Sequence, residues 1–167
     1  MNIVLLEPEI PANTGNIGRS CVATGSALHL IAPLGFSLEE KELKRAGLDY
    51  WPKLDWRLYN DFAAFLEANP RGRKYYLSTK APRSYTEASF EPEDYLIFGK
   101  ESAGIPEEIL AEHPADCIRI PMVKGNRSLN LANSVAIVLY EALRQQDFPG
   151  LEKGGTLHRL NWKQMET

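Results

Sequence analysis

Five short, largely apolar runs, separated by longer stretches with helical spacing, constrain this chain more than any other feature of its sequence. They cover residues 3–6, 28–32, 75–78, 95–98 and 118–120. The first is stopped by Glu7-Pro8 and the second by Pro33-Leu34-Gly35. A strand with one face in water alternates apolar and polar residues. Continuously apolar runs of this length suit parallel strands covered on both faces. Between them lie helix patterns. One spans residues 15–24 and opens through Asn13-Thr14. One begins at Ser37 with acids in its first turn. One runs over 61–68 and one starts at Pro106. The longest covers 129–144, with Leu131, Val135, Val138, Leu139 and Ala142 on one stripe. Alternating strands and helices predict an α/β fold: three layers, a mainly parallel sheet with helices on both faces. The 167 residues fit one domain over 1–150, with a Gly-rich extension over 151–167.

In such folds ligands gather at the C-terminal ends of the strands. That rule selects four loops, at residues 7–16, 79–83, 99–104 and 121–128. The last leads into Arg127-Ser128-Leu129-Asn130-Leu131-Ala132-Asn133-Ser134, where one capping side chain would suffice but several polar ones crowd the helix mouth. Such a crowd predicts that something polar docks there, although Ser128 alone reads equally as a plain cap. Asn13-Thr14-Gly15-Asn16-Ile17-Gly18-Arg19 reads as a capped turn with close-packing glycines, or as a loop that aims Arg19 at a ligand. Gly99-Lys100-Glu101-Ser102-Ala103-Gly104 is a Gly-bounded turn and matches neither the P-loop nor the dinucleotide fingerprint. His29, His113 and His158 are scattered without metal-ligand spacing, so no metal is expected.

Lys plus Arg total 19 against 22 Asp plus Glu, a net charge of −3, so the chain as a whole is no obvious nucleic-acid binder. Basic residues cluster at Lys41, Lys44 and Arg45, at Arg71, Arg73 and Lys74, and at Lys80 and Arg83. Tyr50, Trp51, Tyr75, Tyr76 and Tyr85 lie near enough in sequence to suggest stacking on unpaired bases. Cys21 and Cys117 both fall in apolar patterns, as reduced, buried thiols do. The N-terminus lacks a basic leader and no run is long enough to cross a bilayer, so a cytoplasmic protein without membrane contact is expected.

Each loop alone is ambiguous; the ordered set is specific. Asn13-x-Gly15-Asn16-Ile17-Gly18-Arg19, then Leu96-Ile97-Phe98-Gly99-Lys100-Glu101-Ser102-x-Gly104, then Ile120-Pro121-Met122 with Arg127-Ser128-Leu129-Asn130-Leu131-Ala132-Asn133 resemble the three motifs of the SPOUT RNA 2′-O-ribose methyltransferases. Leu6-Glu7-Pro8-Glu9-Ile10-Pro11 and Lys44-Arg45-Ala46-Gly47-Leu48-Asp49-Tyr50 resemble the minimal branch that acts on the wobble nucleotide of tRNA. The resemblance spans about residues 2–150, and the tail exceeds the minimal pattern.

The resemblance implies a C-terminal deep trefoil knot, S-adenosylmethionine as cofactor with no metal, a homodimer, and tRNA bound through its anticodon region. It implies a cofactor site at Leu77, Gly99, Ile120 and Ser128, catalytic roles for Arg19, Ser128 and Asn130, and Tyr140 at the dimer interface. Asn13, Asn16, Arg127, Lys80, Lys44 and Arg45 are the candidates for holding the substrate. A guanidinium is a poor base in water, so Arg19 is expected to position the ribose and phosphate, with the phosphate or a water accepting the proton. Two other readings stand beside this one: a 2′-O-methyltransferase of another tRNA position or of rRNA, and a non-catalytic RNA-binding α/β module.

Overall fold

The computed structural model describes residues 1–38 and 50–162. Seven strands form one sheet: β1 (Asn2–Leu6), β2 (Ala27–Ile31), β3 (Trp56–Tyr59), β4 (Lys74–Leu77), β5 (Arg83–Ser84), β6 (Tyr95–Phe98) and β7 (Cys117–Arg119). Their order is β3-β2-β1-β6-β4-β7-β5, and every pairing is parallel. The helices are α1 (Pro11–Thr24), α2 (Phe62–Ala68), α3 (Glu107–Glu112) and α4 (Leu131–Gln145).

The two-residue period of the strands sorts their side chains between two cores. Ile3, Leu5, Leu28, Leu30, Tyr75, Leu96, Phe98 and Ile118 face Ile17 and Cys21 of α1 and Val135, Val138, Leu139 and Ala142 of α4. Val4, Leu6, Tyr76, Ile97 and Cys117 face Phe65 of α2, with Ile109 and Leu110 of α3 at the margin. Helices on both faces of a parallel sheet make the three layers that the sequence predicts. Full burial of each such aliphatic side chain stabilises the fold by about 1.5–3 kcal/mol, which is why the central runs are mostly apolar on both faces.

Two strands lie outside the predicted five. β3 is a sheet edge whose Arg57 and Leu58 are exposed, and β5 is only two residues long. Neither needs the double-sided apolar coat that marks the others. The helix predicted from Ser37 lies outside the described residues. α1 starts at Pro11, so Asn13 and Thr14 are buried inside it rather than leading into it. The aromatics near the basic clusters are mostly core rather than stacking platforms. Tyr75 and Tyr76 are buried because their strand is covered on both faces, and Trp51, in the short helical turn Trp51–Lys53, is buried as well. Beyond α4, Phe148 and Leu151 pack on the core, whereas Leu160 and Trp162 are exposed. Among the described residues no helix is long and apolar enough to cross a membrane.

Cys21 and Cys117 are free and buried, and burial pushes the Cys21 thiol up to about 12. His29 is fully buried on β2. Its Nε2 donates to Asn2 Oδ1 (3.3 Å), because an amide oxygen can only accept, and its Nδ1 accepts from the Tyr59 hydroxyl (2.9 Å). Asn69 and Tyr95 extend this network: Asn69 Nδ2 donates to the Tyr59 oxygen and the Tyr95 hydroxyl donates to Asn69 Oδ1. Burial, aided by Arg57, pushes the imidazole down to about 4 from its ordinary 6.5. The unfolded chain therefore takes up this proton first as pH falls. Stability from neutral His29 is complete above about pH 6.5 and is lost between there and pH 4, on the order of 3 kcal/mol. Thermal unfolding from pH 7.5 to 4.5 should show this decline, and His29→Gln should flatten it. A wild-type midpoint constant over that range contradicts the assignment.

Candidate active site

A cavity of about 640 Å³ opens at the C-terminal ends of β4, β6 and β7. Leu77 and Ser78 enter it from β4, Phe98 and Gly99 from β6, Ile120 and Met122 from the segment after β7, and Ser128, Asn130 and Leu131 from the start of α4. All four residues in the expected cofactor set, Leu77, Gly99, Ile120 and Ser128, thus border one space. Its volume lies within the roughly 300–1,000 Å³ of sites for drug-sized ligands.

The loop after β6 closes on itself. Gly104 N donates to Lys100 O (2.8 Å), and a Cβ at Gly99 would lie 2.0 Å from Gly104 C and 2.2 Å from Ile105 N. Only glycine fits, since both obstacles are backbone. Gly99→Ala is expected to cost about 1–3 kcal/mol, read as a lower thermal midpoint; an unchanged midpoint contradicts the closed turn.

The same loop is clipped to the β1–α1 loop by a reciprocal exchange. Glu9 accepts from Ser102 N (2.9 Å) and Ser102 Oγ (2.8 Å). Those two donors hold the Glu9 carboxyl below its usual range. In return Glu101 accepts from Glu9 N (2.8 Å), Ile10 N (3.3 Å) and Asn13 Nδ2 (2.9 Å). α1 has no side-chain cap of its own; Glu101, from another loop, accepts from the N–H of its N-cap residue, Ile10, and of Glu9 just before it. Alongside, Lys100 Nζ meets Glu7 Oε2 at 2.9 Å, which raises the ammonium above its ordinary range.

From Glu101 the network crosses to α4. Asn130 Nδ2 donates to Asn13 Oδ1 (2.9 Å), and Asn130 Oδ1 accepts from Asn133 N (3.2 Å). Asn130 is therefore the cap of α4, and Ser128 is not. The polar groups at this helix mouth are largely exposed, so burial does not explain the cluster; Ser128, Asn130 and Asn133 all face solvent.

A second hollow, of about 360 Å³, lies between α1 and α4. Asn16, Arg19, Ser20 and Ala23 line it from one side, and Ala132, Asn133, Ala136 and Tyr140 from the other. Asn130 borders both spaces. The structure thus separates the expected site residues into two adjoining groups. Lys80 and Arg127 border the larger cavity, but Lys80 is paired with Glu107 at 2.5 Å. Lys44 and Arg45 lie outside the described residues. Among the described residues no group of three or more His, Cys, Asp or Glu side chains is placed to hold a metal. Glu101 and Glu9 escaped the sequence reading; the available signal was a helix opening on Ile10-Pro11 with no capping side chain beside it.

The SpoU rRNA Methylase family model matches residues 1–140. The chain belongs to the SpoU family. A relative from Geobacillus stearothermophilus, named a putative tRNA (cytidine(34)-2′-O)-methyltransferase, is 51% identical over 154 residues, covering 90% of this chain and 98% of the relative. The Escherichia coli K12 protein named tRNA (cytidine(34)-2′-O)-methyltransferase is 50% identical over 151 residues, covering 90% and 96%. A solved structure described as giving insights into 2-OH methylation of C/U34 on tRNA superposes with a TM-score of 0.81 at 54% identity, covering 87% of this chain and 95% of that one.

Proposed function

We propose that this chain transfers a methyl group from S-adenosylmethionine to the ribose 2′-oxygen of the wobble nucleotide, cytidine or uridine, of tRNA. One observation carries the reading: the cavity bordered by Leu77, Gly99, Ile120 and Ser128 adjoins the hollow that holds Arg19, and Asn130 belongs to both. The cavity fits the cofactor, with apolar walls at Leu77, Phe98, Ile120 and Leu131 for an adenine ring and polar side chains at Ser128 and Asn130 for its charged end. When bound, S-adenosylmethionine would supply the electrophilic methyl group, held by the residues that line the larger cavity.

The chain's own contribution is alignment. Arg19 holds the ribose and the adjacent phosphate by its fork of N–H donors. Ser128 and Asn130 orient the groups facing them, and Asn130 is itself fixed by Asn13. The proton of the 2′-hydroxyl passes to the phosphate or to a water. Asn16 and Arg127 flank the substrate path, with Lys80, Lys44 and Arg45 as further contacts to the anticodon region.

A homodimer through α1 and α4 is part of the same proposal. Tyr140 is 48% exposed and Ile137 is exposed beside it, on a hollow floored by the small residues Ala23, Ala132 and Ala136. The trefoil knot is also part of it: β7 pairs with both β4 and β5, so the chain returns between two strands laid down before it. Residues 1–150 form the catalytic domain, 151–167 an extension, and the protein works in the cytoplasm.

Tritium transfer from labelled S-adenosylmethionine to purified tRNA and rRNA tests the reading. Transfer to tRNA is expected, with tRNA affinity falling steeply as salt rises. Transfer to rRNA alone would favour a ribosomal substrate, and transfer to neither a non-catalytic RNA-binding module.

A further inference from the structure

Arg19 carries a long, exposed side chain, and a guanidinium free to sample its rotamers is a poor alignment device. Among the described residues no carboxylate pairs with it. What meets it is Tyr50: the guanidinium carbon lies 5.1 Å from the centre of the Tyr50 ring. Tyr50 is itself anchored on α1, because its hydroxyl donates to the carbonyl of Gly15, one turn before Arg19. The ring lies close because the helix offers a flat face. A Cβ at Gly18 would come within 3.2 Å of Leu54, 3.3 Å of Trp51 and 3.4 Å of Tyr50. Trp51 and Leu54 are buried in the core, so the segment bearing Tyr50 is held from below.

We propose that Tyr50 is the positioning residue of Arg19: an aromatic plate, pinned to the helix at Gly15, that fixes the guanidinium at the hollow between α1 and α4. The chemistry favours a ring over an acid. A carboxylate would occupy two of the five N–H donors and neutralise the charge, whereas a π face attracts the cation and leaves its donors for ribose and phosphate. This inference rests on the role given to Arg19 above. Tyr50 does not touch substrate; it acts through Arg19.

The test is a comparison of Tyr50→Leu, Tyr50→Phe, Arg19→Ala and the double variant Tyr50→Leu with Arg19→Ala, using the full chain and purified tRNA. Tyr50→Leu should lower kcat by about tenfold, with the affinity for S-adenosylmethionine and the KM for tRNA near those of the wild type and only a small drop in thermal midpoint from the lost Gly15 bond and core contact. Tyr50→Phe keeps the ring and loses the anchor, and should fall between Tyr50→Leu and wild type. In the Arg19→Ala background, Tyr50→Leu should cost nothing further. Three outcomes overturn the inference: wild-type kcat in Tyr50→Leu, a kcat loss matched by equal losses in midpoint and cofactor affinity, or the same loss with Arg19 already removed. An active Arg19→Ala sinks the role of Arg19 and the inference with it. An inactive Arg19→Ala beside a fully active Tyr50→Leu overturns the inference alone.

Discussion

Arg19→Ala is expected to lower methyl transfer at least about 100-fold, the scale seen when a single preorganised donor is lost from an active site, while binding of S-adenosylmethionine stays within about threefold. The separation follows from geometry. Arg19 lines the hollow between α1 and α4 and does not border the larger cavity. On the proposed reading it acts on the incoming ribose, and its loss leaves the walls of the larger cavity in place. Single-turnover transfer to tRNA, beside calorimetric titration of the cofactor, measures both quantities. Transfer near the wild-type rate would remove Arg19 from the mechanism. Loss of transfer and of cofactor affinity together would place its effect in the wrong space.

Glu101→Ala is expected to have the second large effect. It strips the acceptor from Glu9 N, Ile10 N and Asn13 Nδ2 at once. Hydrogen bonds to a charged group are worth about 1.5–3 kcal/mol each in favourable settings; these are partly exposed, so a total loss near 2–4 kcal/mol is expected. The damage travels along a definite route. Without Glu101, Asn13 loses its orientation, Asn130 loses its partner on α1, and the cap of α4 loosens at the border of the two spaces. Turnover should fall about 100-fold, and Glu101→Gln, which keeps one acceptor oxygen, should lie in between. Thermal unfolding together with kcat checks this. A Glu101→Ala protein of unchanged midpoint and turnover would show that the clip between the two loops is incidental.

The sequence discloses the parts of this molecule that local chemistry determines. β1, β2, β4, β6 and β7 are legible because both faces of each are covered, which leaves a largely apolar run. β3 escapes because an edge strand tolerates Arg57 and an exposed Leu58, and β5 because two residues carry no period. The start of α1 misleads for a different reason: its capping carboxylate comes from Glu101, 91 residues beyond Ile10. No window on the sequence contains both. The mouth of α4 is legible as unusual but not in its roles, since Asn130 rather than Ser128 turns out to be the cap. Lys80 reads as a free cation until the fold brings Glu107 to it. Tyr75 and Tyr76 read as stacking rings until the sheet covers them. Leu77, Gly99 and Ile120, which the family resemblance singles out, come together because parallel strands put their C-terminal ends at one edge; the α/β pattern by itself selects only the loops that follow those ends.

The most direct test is the position of the methyl group itself. The protein is incubated with S-adenosylmethionine and unmodified tRNA, the product is digested, and the fragments are analysed by mass spectrometry. A single 2′-O-methyl group on the ribose of nucleotide 34 is predicted, absent when Arg19→Ala replaces the wild type. Methylation on a base, or at a ribose outside the anticodon, would contradict the account.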